Sequence, residues 1–150
     1  MRARQRGFVL IAMAIALVFL LAVIGLAFDF GRIYIARNEA QVFTDAAALA
    51  AASKLDGTES GLARAREAVS KLPTRWNLGT KAFSGVMVEF SADGTRWENS
   101  PASASAVNEA RVTAPNNAVE ITFLRVAGGP ASFAVAARSI AASGPVRLIE

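Results

Sequence analysis

The sequence predicts an α+β protein built on one long N-terminal membrane helix that continues beyond the bilayer. A short second helix and a small antiparallel sheet complete the plan. Three observations point there. Residues 8–28, FVLIAMAIALVFLLAVIGLAF, carry no charge. Residues 31–55 contain no proline and are rich in alanine, with glutamine, glutamate, leucine and arginine also favourable in helices. From residue 86 onward the apolar period drops to two, as in half-buried strands.

The first element is the membrane span. A helix crossing a hydrocarbon layer of about 30 Å needs roughly 20 apolar residues, and residues 8–28 match that length. Two other readings fit parts of the pattern: a buried helix of a soluble protein, and a secretory signal peptide. The remaining chain is too small to enclose such a helix. A signal peptide has an apolar centre of about 7–15 residues and small residues at its cleavage site. This run is longer and passes directly into Asp29-Phe30-Gly31-Arg32. Retention as an anchor is therefore expected. Arg2, Arg4 and Arg6 precede the run, whereas Arg32 and Arg37 beyond it are partly offset by Asp29 and Glu39. The positive-inside rule places the N-terminus in the cytoplasm. The expected divisions are a basic tail (1–7), the span (8–28), an extramembrane helix (29–55) and an extracytoplasmic α+β domain (56–150).

The helix should run as one rod to Asp56-Gly57, roughly 70 Å in all. Ala22, Gly25, Asp29, Ala36 and Ala40 recur at spacings of three, four and seven, a stripe that permits close helix approach. These five are the expected helix–helix contact, with a partner helix or an identical copy; alanine supplying helix propensity alone is the alternative. Asp29 should pair with Arg32 one turn on, meet a charge on a partner, or stay hydrated at the interface.

The second helix is expected over residues 59–72, with Leu62, Ala65, Val69 and Leu72 inward and Pro73 as its stop. Val86, Val88 and Phe90 mark a strand, residues 91–95 a turn, and 96–98 its return. Residues 99–107 read as a loop and 109–113 as a short strand. Asn116-Asn117 reads as a turn, and Val119, Ile121 and Phe123 as a further strand. Gly128-Gly129-Pro130 is a break, and 133–141 the last strand. At least one of Trp76 and Trp97 should be core.

Composition limits the chemistry. The chain has no cysteine and no histidine, which excludes disulfides, thiolate nucleophiles, imidazole bases and Cys/His metal sites. The net charge of +4 arises largely from the three leading arginines, a topology signal and not a nucleic-acid surface. Asp93 and Glu98 suit turn and hairpin roles better than paired acid catalysis. Gly128-Gly129 lacks what a phosphate loop requires. No catalytic, metal or cofactor-binding residue is expected, and no small-molecule substrate or nucleic-acid partner.

The N-terminal block from Arg6 to Leu55 resembles the module of TadE/TadG-type proteins of the Flp, or tight-adherence (Tad), pilus system. The resemblance lies in Gly7 before the span, in Asp29-Phe30-Gly31-Arg32 and Tyr34 after it, and in Thr44-Asp45-Ala46-Ala47-Ala48-Leu49-Ala50. It implies a non-catalytic, membrane-anchored assembly component whose partners are the lipid bilayer and other Tad/Flp proteins or identical copies. A polymerising pilin-like subunit and a membrane-anchored or secreted binding adaptor are the alternatives. Gly7-Phe8 resembles a prepilin-peptidase site, but Ala12 stands where pilin-like substrates carry glutamate, so an uncleaved N-terminus is expected.

Overall fold

The computed structural model describes residues 4–126 and 128–144. Arg2 lies outside them. Arg4 and Arg6 fall in the first turns of helix α1, which runs without interruption from Arg4 to Ala52. Gly31 lies within α1 without ending it. Its lower half is long and apolar enough to cross a membrane, and the rest of the chain covers almost none of that segment. A soluble protein's core helix would be covered, so burial separates the two readings in favour of a span.

Helix α2 spans Glu59–Ser70. Thr58 caps it, its hydroxyl accepting from the Gly61 N–H at 3.0 Å. Asp56 in turn accepts from the Thr58 N–H at 3.1 Å and hydroxyl at 2.6 Å. These contacts, led by the Thr58 hydroxyl, hold the Asp56 carboxyl below the usual carboxylate range despite some desolvation. Leu62, Ala65 and Val69 are buried as the helical spacing requires, and Leu72 is half-buried just beyond the helix.

Two short strands follow, β1 (Arg75–Trp76) and β2 (Lys81–Ala82), paired antiparallel. The main sheet comprises β3 (Met87–Ser91), β4 (Glu109–Glu120) and β5 (Ser132–Ala142) in the order β3-β4-β5, all antiparallel. Between β4 and β5, Phe123–Val126 forms a single helical turn, α3.

The structure corrects three readings. Residues 96–98 form no return strand; Glu98 makes one isolated bridge to Phe90, and β3 pairs with β4 instead. The turn that ends β3 is held by Asp93, whose carboxylate accepts from the N–H groups of Arg96 and Thr95 and lies well below the usual range for that reason. Asn116-Asn117 does not reverse the chain. The register shifts between Ala114 and Asn117, so Pro115 and the asparagines are absorbed in a bulge of one long strand. The Asn117 side chain supports the bulge, donating to the Pro115 carbonyl at 2.6 Å and accepting from the Ser84 N–H at 3.2 Å. Finally, Phe123 belongs to α3, not to a strand. The hairpin β1-β2 was not anticipated, since two-residue strands leave no period to read.

The upper half of α1 lies across β4 and β5, with α2 beside it. The core has two parts. Toward the top, Ala47, Ala48, Ala51 and Ala52 pack against Leu62, Ala65 and Val69 of α2 and Phe90, Ala110 and Val112 of the sheet. Below, Ala36, Ala40 and Phe43 meet Trp76, Phe83, Val119 and Val135. The Trp76 and Phe83 rings stack at 5.1 Å, and Phe43 stacks on Phe83 at 4.9 Å. Trp76 is thus the core tryptophan. Trp97 is half-buried, with the Arg111 guanidinium 4.5 Å above its ring.

Candidate functional site

An α-helix advances about 100° per residue. On that wheel Gly25, Asp29, Ala36, Ala40, Phe43, Ala47 and Ala51 fall within one arc about 80° wide. All seven are buried. What covers them is the chain's own domain. The expected helix–helix contact is therefore corrected at four of its five positions. Ala36 and Ala40 face the sheet and the Trp76 cluster. Gly25 faces Phe123, whose ring carbon would lie 2.6 Å from any Cβ at that position. Asp29 faces α3. Only Ala22, below the domain, stays exposed among the five. Small side chains let a backbone approach closely; here they admit β4, β5 and α3.

Two carboxylates on α1 tie loops to the helix. Asp29 is 2% exposed. Its oxygens accept from the backbone N–H groups of Thr122, Phe123 and Leu124 at 3.1, 2.8 and 2.7 Å. Those donors open α3 and have no partner within a single turn of helix. An acidic side chain is the natural group to bind them. Asp29 forms no ion pair with Arg32 among the described residues; its partner is a helix end 93 residues further along the chain. Ten residues above it, Glu39 accepts from the N–H groups of Asn77 and Leu78, the latter at 3.2 Å. Asn77 and Leu78 have φ of 53° and 59°, left-handed values uncommon for residues with a side chain. Glu39 gathers the two N–H groups that this conformation turns toward the helix.

A third tie uses the motif Thr44-Asp45. The Ser139 hydroxyl donates to Asp45 and accepts from Gln41 Nε2 at 3.1 Å and from Thr44 Oγ1 at 2.8 Å. Gln41 Nε2 also donates to Asp45 at 2.9 Å. Thr44 is fully buried, so these bonds fix the lateral register between α1 and β5 as well as satisfying polar atoms. Sequence reasoning did not single out Gln41, Glu39 or Ser139. Ser139 had a signal: it is the polar member of the inward series Val135, Ala137, Ser139.

The other motif residues divide between two faces. Ala47 and Ala48 are buried, and Ala50 and Arg32 half-buried. Gly7, Gly31, Tyr34, Ala46 and Leu49 are exposed. Among the described residues no group of three or more acidic side chains is placed to hold a metal ion.

The fold and its seam define a class: a protein with one membrane-spanning helix among the described residues, continuing into a small α+β domain clamped along one face. Residues 7–54 match the family of Flp pilus-assembly TadE/G-like proteins. The N-terminal third is thus similar to TadE/G-like proteins, and the protein has a non-catalytic, membrane-associated role in Flp/Tad pilus assembly. It acts through helix and domain contacts, with the lipid bilayer and other Tad/Flp assembly proteins as partners. No curated protein and no solved structure matches the chain.

The Asp29 clamp yields a direct test. Asp29→Asn keeps the size of the side chain but substitutes an amide, with one acceptor oxygen, for a carboxylate receiving three N–H groups. The amides of Phe123 and Leu124 should then exchange hydrogen about tenfold faster or more, while those of α2 stay protected. Hydrogen exchange read by mass spectrometry on the detergent-solubilised chain measures both. Unchanged exchange at 123 and 124 would show that the clamp holds nothing.

Proposed function

We propose that the N-terminus is cytoplasmic, that the domain stands outside the cytoplasmic membrane, and that the face of α1 opposite the domain is the assembly surface. The orientation rests on Arg2, Arg4 and Arg6. The surface rests on one observation: Gly31, Tyr34, Ile35, Val42, Ala46 and Leu49 share an arc about 120° wide on the side the domain leaves open. Val42 and Leu49 are 67% and 65% exposed. Beside Val42 and Ala46 runs a shallow groove of about 380 Å³ whose other wall is Leu72, Pro73 and Arg75.

The occupant is the corresponding helix of a second membrane-anchored Flp/Tad assembly protein. The open face continues without a break into the lipid-facing surface of the span. A partner that is itself a long membrane helix can follow it above and within the bilayer, whereas a soluble partner covers only the upper part. In this reading the small-residue arc assembles the protomer and the Tyr34–Leu49 face assembles the pilus machinery. A surface filament is the special case in which the partner is an identical copy.

The chain has no native cysteine, so single cysteines at Val42, Leu49 and Ala51 report cleanly. Crosslinks in membranes are expected from the first two and not from Ala51. Val42→Asp and Leu49→Asp should abolish them without altering the unfolding of the purified chain. Crosslinks confined to identical chains would favour the polymerising subunit; none at either position would sink the proposal. A periplasmic reporter fused after residue 55 that stayed inactive would overturn the orientation.

A further inference from the structure

The domain also meets the apolar run of α1 itself, at α3. Phe123 packs on Gly25 and lies edge-on to Phe28, ring centres 5.8 Å apart. Gly25 and Phe28 both lie inside the uncharged run. That run of 21 residues (8–28) is about 32 Å long, against a hydrocarbon layer of about 30 Å. There is no slack: raising Gly25 clear of the lipid would draw the arginines before residue 7 into it. Gly25 lies about 6 Å below Asp29 along the axis, and Asp29 fastens the start of α3. The turn is therefore held at the depth where the span leaves the hydrocarbon.

Two further features suit that depth. The side chains there are apolar and uncovered: Val126 is 88% exposed, and Phe123 and Phe133 are also open. Six backbone donors of the segment nevertheless bond within the chain. Ile121 donates to Ala131, Gly128 to Arg125 and Gly129 to Leu124, while Thr122, Phe123 and Leu124 donate to Asp29. A loop in water has no need of such closure, whereas one in contact with lipid does. Arg125, exposed on the same turn, can return its charge to the phosphate layer.

We propose that α3 and its flanks form a second membrane contact, with Phe123, Val126 and Phe133 seated in the leaflet that the domain faces. The occupant is the lipid bilayer, because the surface is continuous with the lipid-facing wall of α1. The domain thus rests on the membrane as well as being anchored through it. The proposal requires α1 to span the bilayer but is independent of the assembly face and of orientation.

The test places nitroxide labels on single cysteines in the full chain, reconstituted into vesicles of phosphatidylethanolamine and phosphatidylglycerol. The labelled positions are Val126, Leu20 and Ser103, an exposed loop residue remote from α3. Accessibility to oxygen and to a water-soluble nickel chelate is read at each. Val126 should favour oxygen as Leu20 does, with Ser103 favouring nickel. If Val126 behaves like Ser103 while Leu20 reads as lipid, the contact is absent although the span stands. If Val126 is shielded from both reagents, protein covers it and the lipid assignment is overturned. If Leu20 itself reads as water, the span fails and the proposal with it.

Discussion

Replacing Trp76 with alanine should remove roughly 3–5 kcal/mol of domain stability. Trp76 is among the largest fully buried side chains, and it joins three elements: the β1-β2 hairpin that carries it, Phe83 after β2, and Phe43 on α1. The stack Trp76–Phe83–Phe43 fills the space between helix and sheet that the alanines of α1 leave open. Truncation leaves a cavity that rigid neighbours cannot collapse into. Trp76→Phe should cost much less. It keeps a ring against Phe83, and the indole N–H has no hydrogen-bond partner among the described residues to lose. Denaturant unfolding in detergent, followed by fluorescence of Trp97, reads both variants. Equal losses for alanine and phenylalanine would show that ring stacking is not what holds the hairpin.

Ala40→Leu should destabilise the isolated protomer by about 1–3 kcal/mol. Leucine is a good helix former, so lost helicity would not account for the effect. Ala40 is completely buried between α1 and the Trp76 cluster; three added carbons must push the sheet away or leave their rotamers. This variant separates the two uses of a small-residue stripe. Were Ala40 a contact to another helix, the purified monomer would unfold as before and only assembly would fail. Contact with the chain's own sheet predicts that the monomer weakens first. Unchanged monomer unfolding together with lost crosslinking from Val42 would reverse the assignment of the two faces.

The long helix, its span and the amphipathic α2 were legible because each is carried by local periodicity extending over many residues. So were β3, β5 and the turn at Asp93. The continuity of β4 was not: Pro115-Asn116-Asn117 has the composition of a turn, and only pairing with β5 on both sides makes it a bulge. Phe123 continued the alternation of Val119 and Ile121, yet the chain coils there because Asp29, distant in sequence, accepts the N–H groups of a helical start. Ala36 and Ala40 were recognisable as contact positions. Their partner was not, because a small side chain records that something approaches closely without recording whether it is a helix or a sheet. The outer face of Tyr34, Val42 and Leu49 emerged only once the domain had claimed the opposite one.

The bond between Thr44 and Ser139 closes a loop of 95 residues, and that separation sets an order of events during synthesis. The chain is made from its N-terminus, so α1 is complete and ready to enter the bilayer long before β5 exists. Contacts this distant in sequence are slow to close. Until β5 is in place Ala36 and Ala40 lack the strand that completes their cover, so a newborn protomer exposes part of a helix face that the mature one buries. The last strand therefore does more than finish the sheet: its arrival marks the moment at which that face of the helix closes to neighbours.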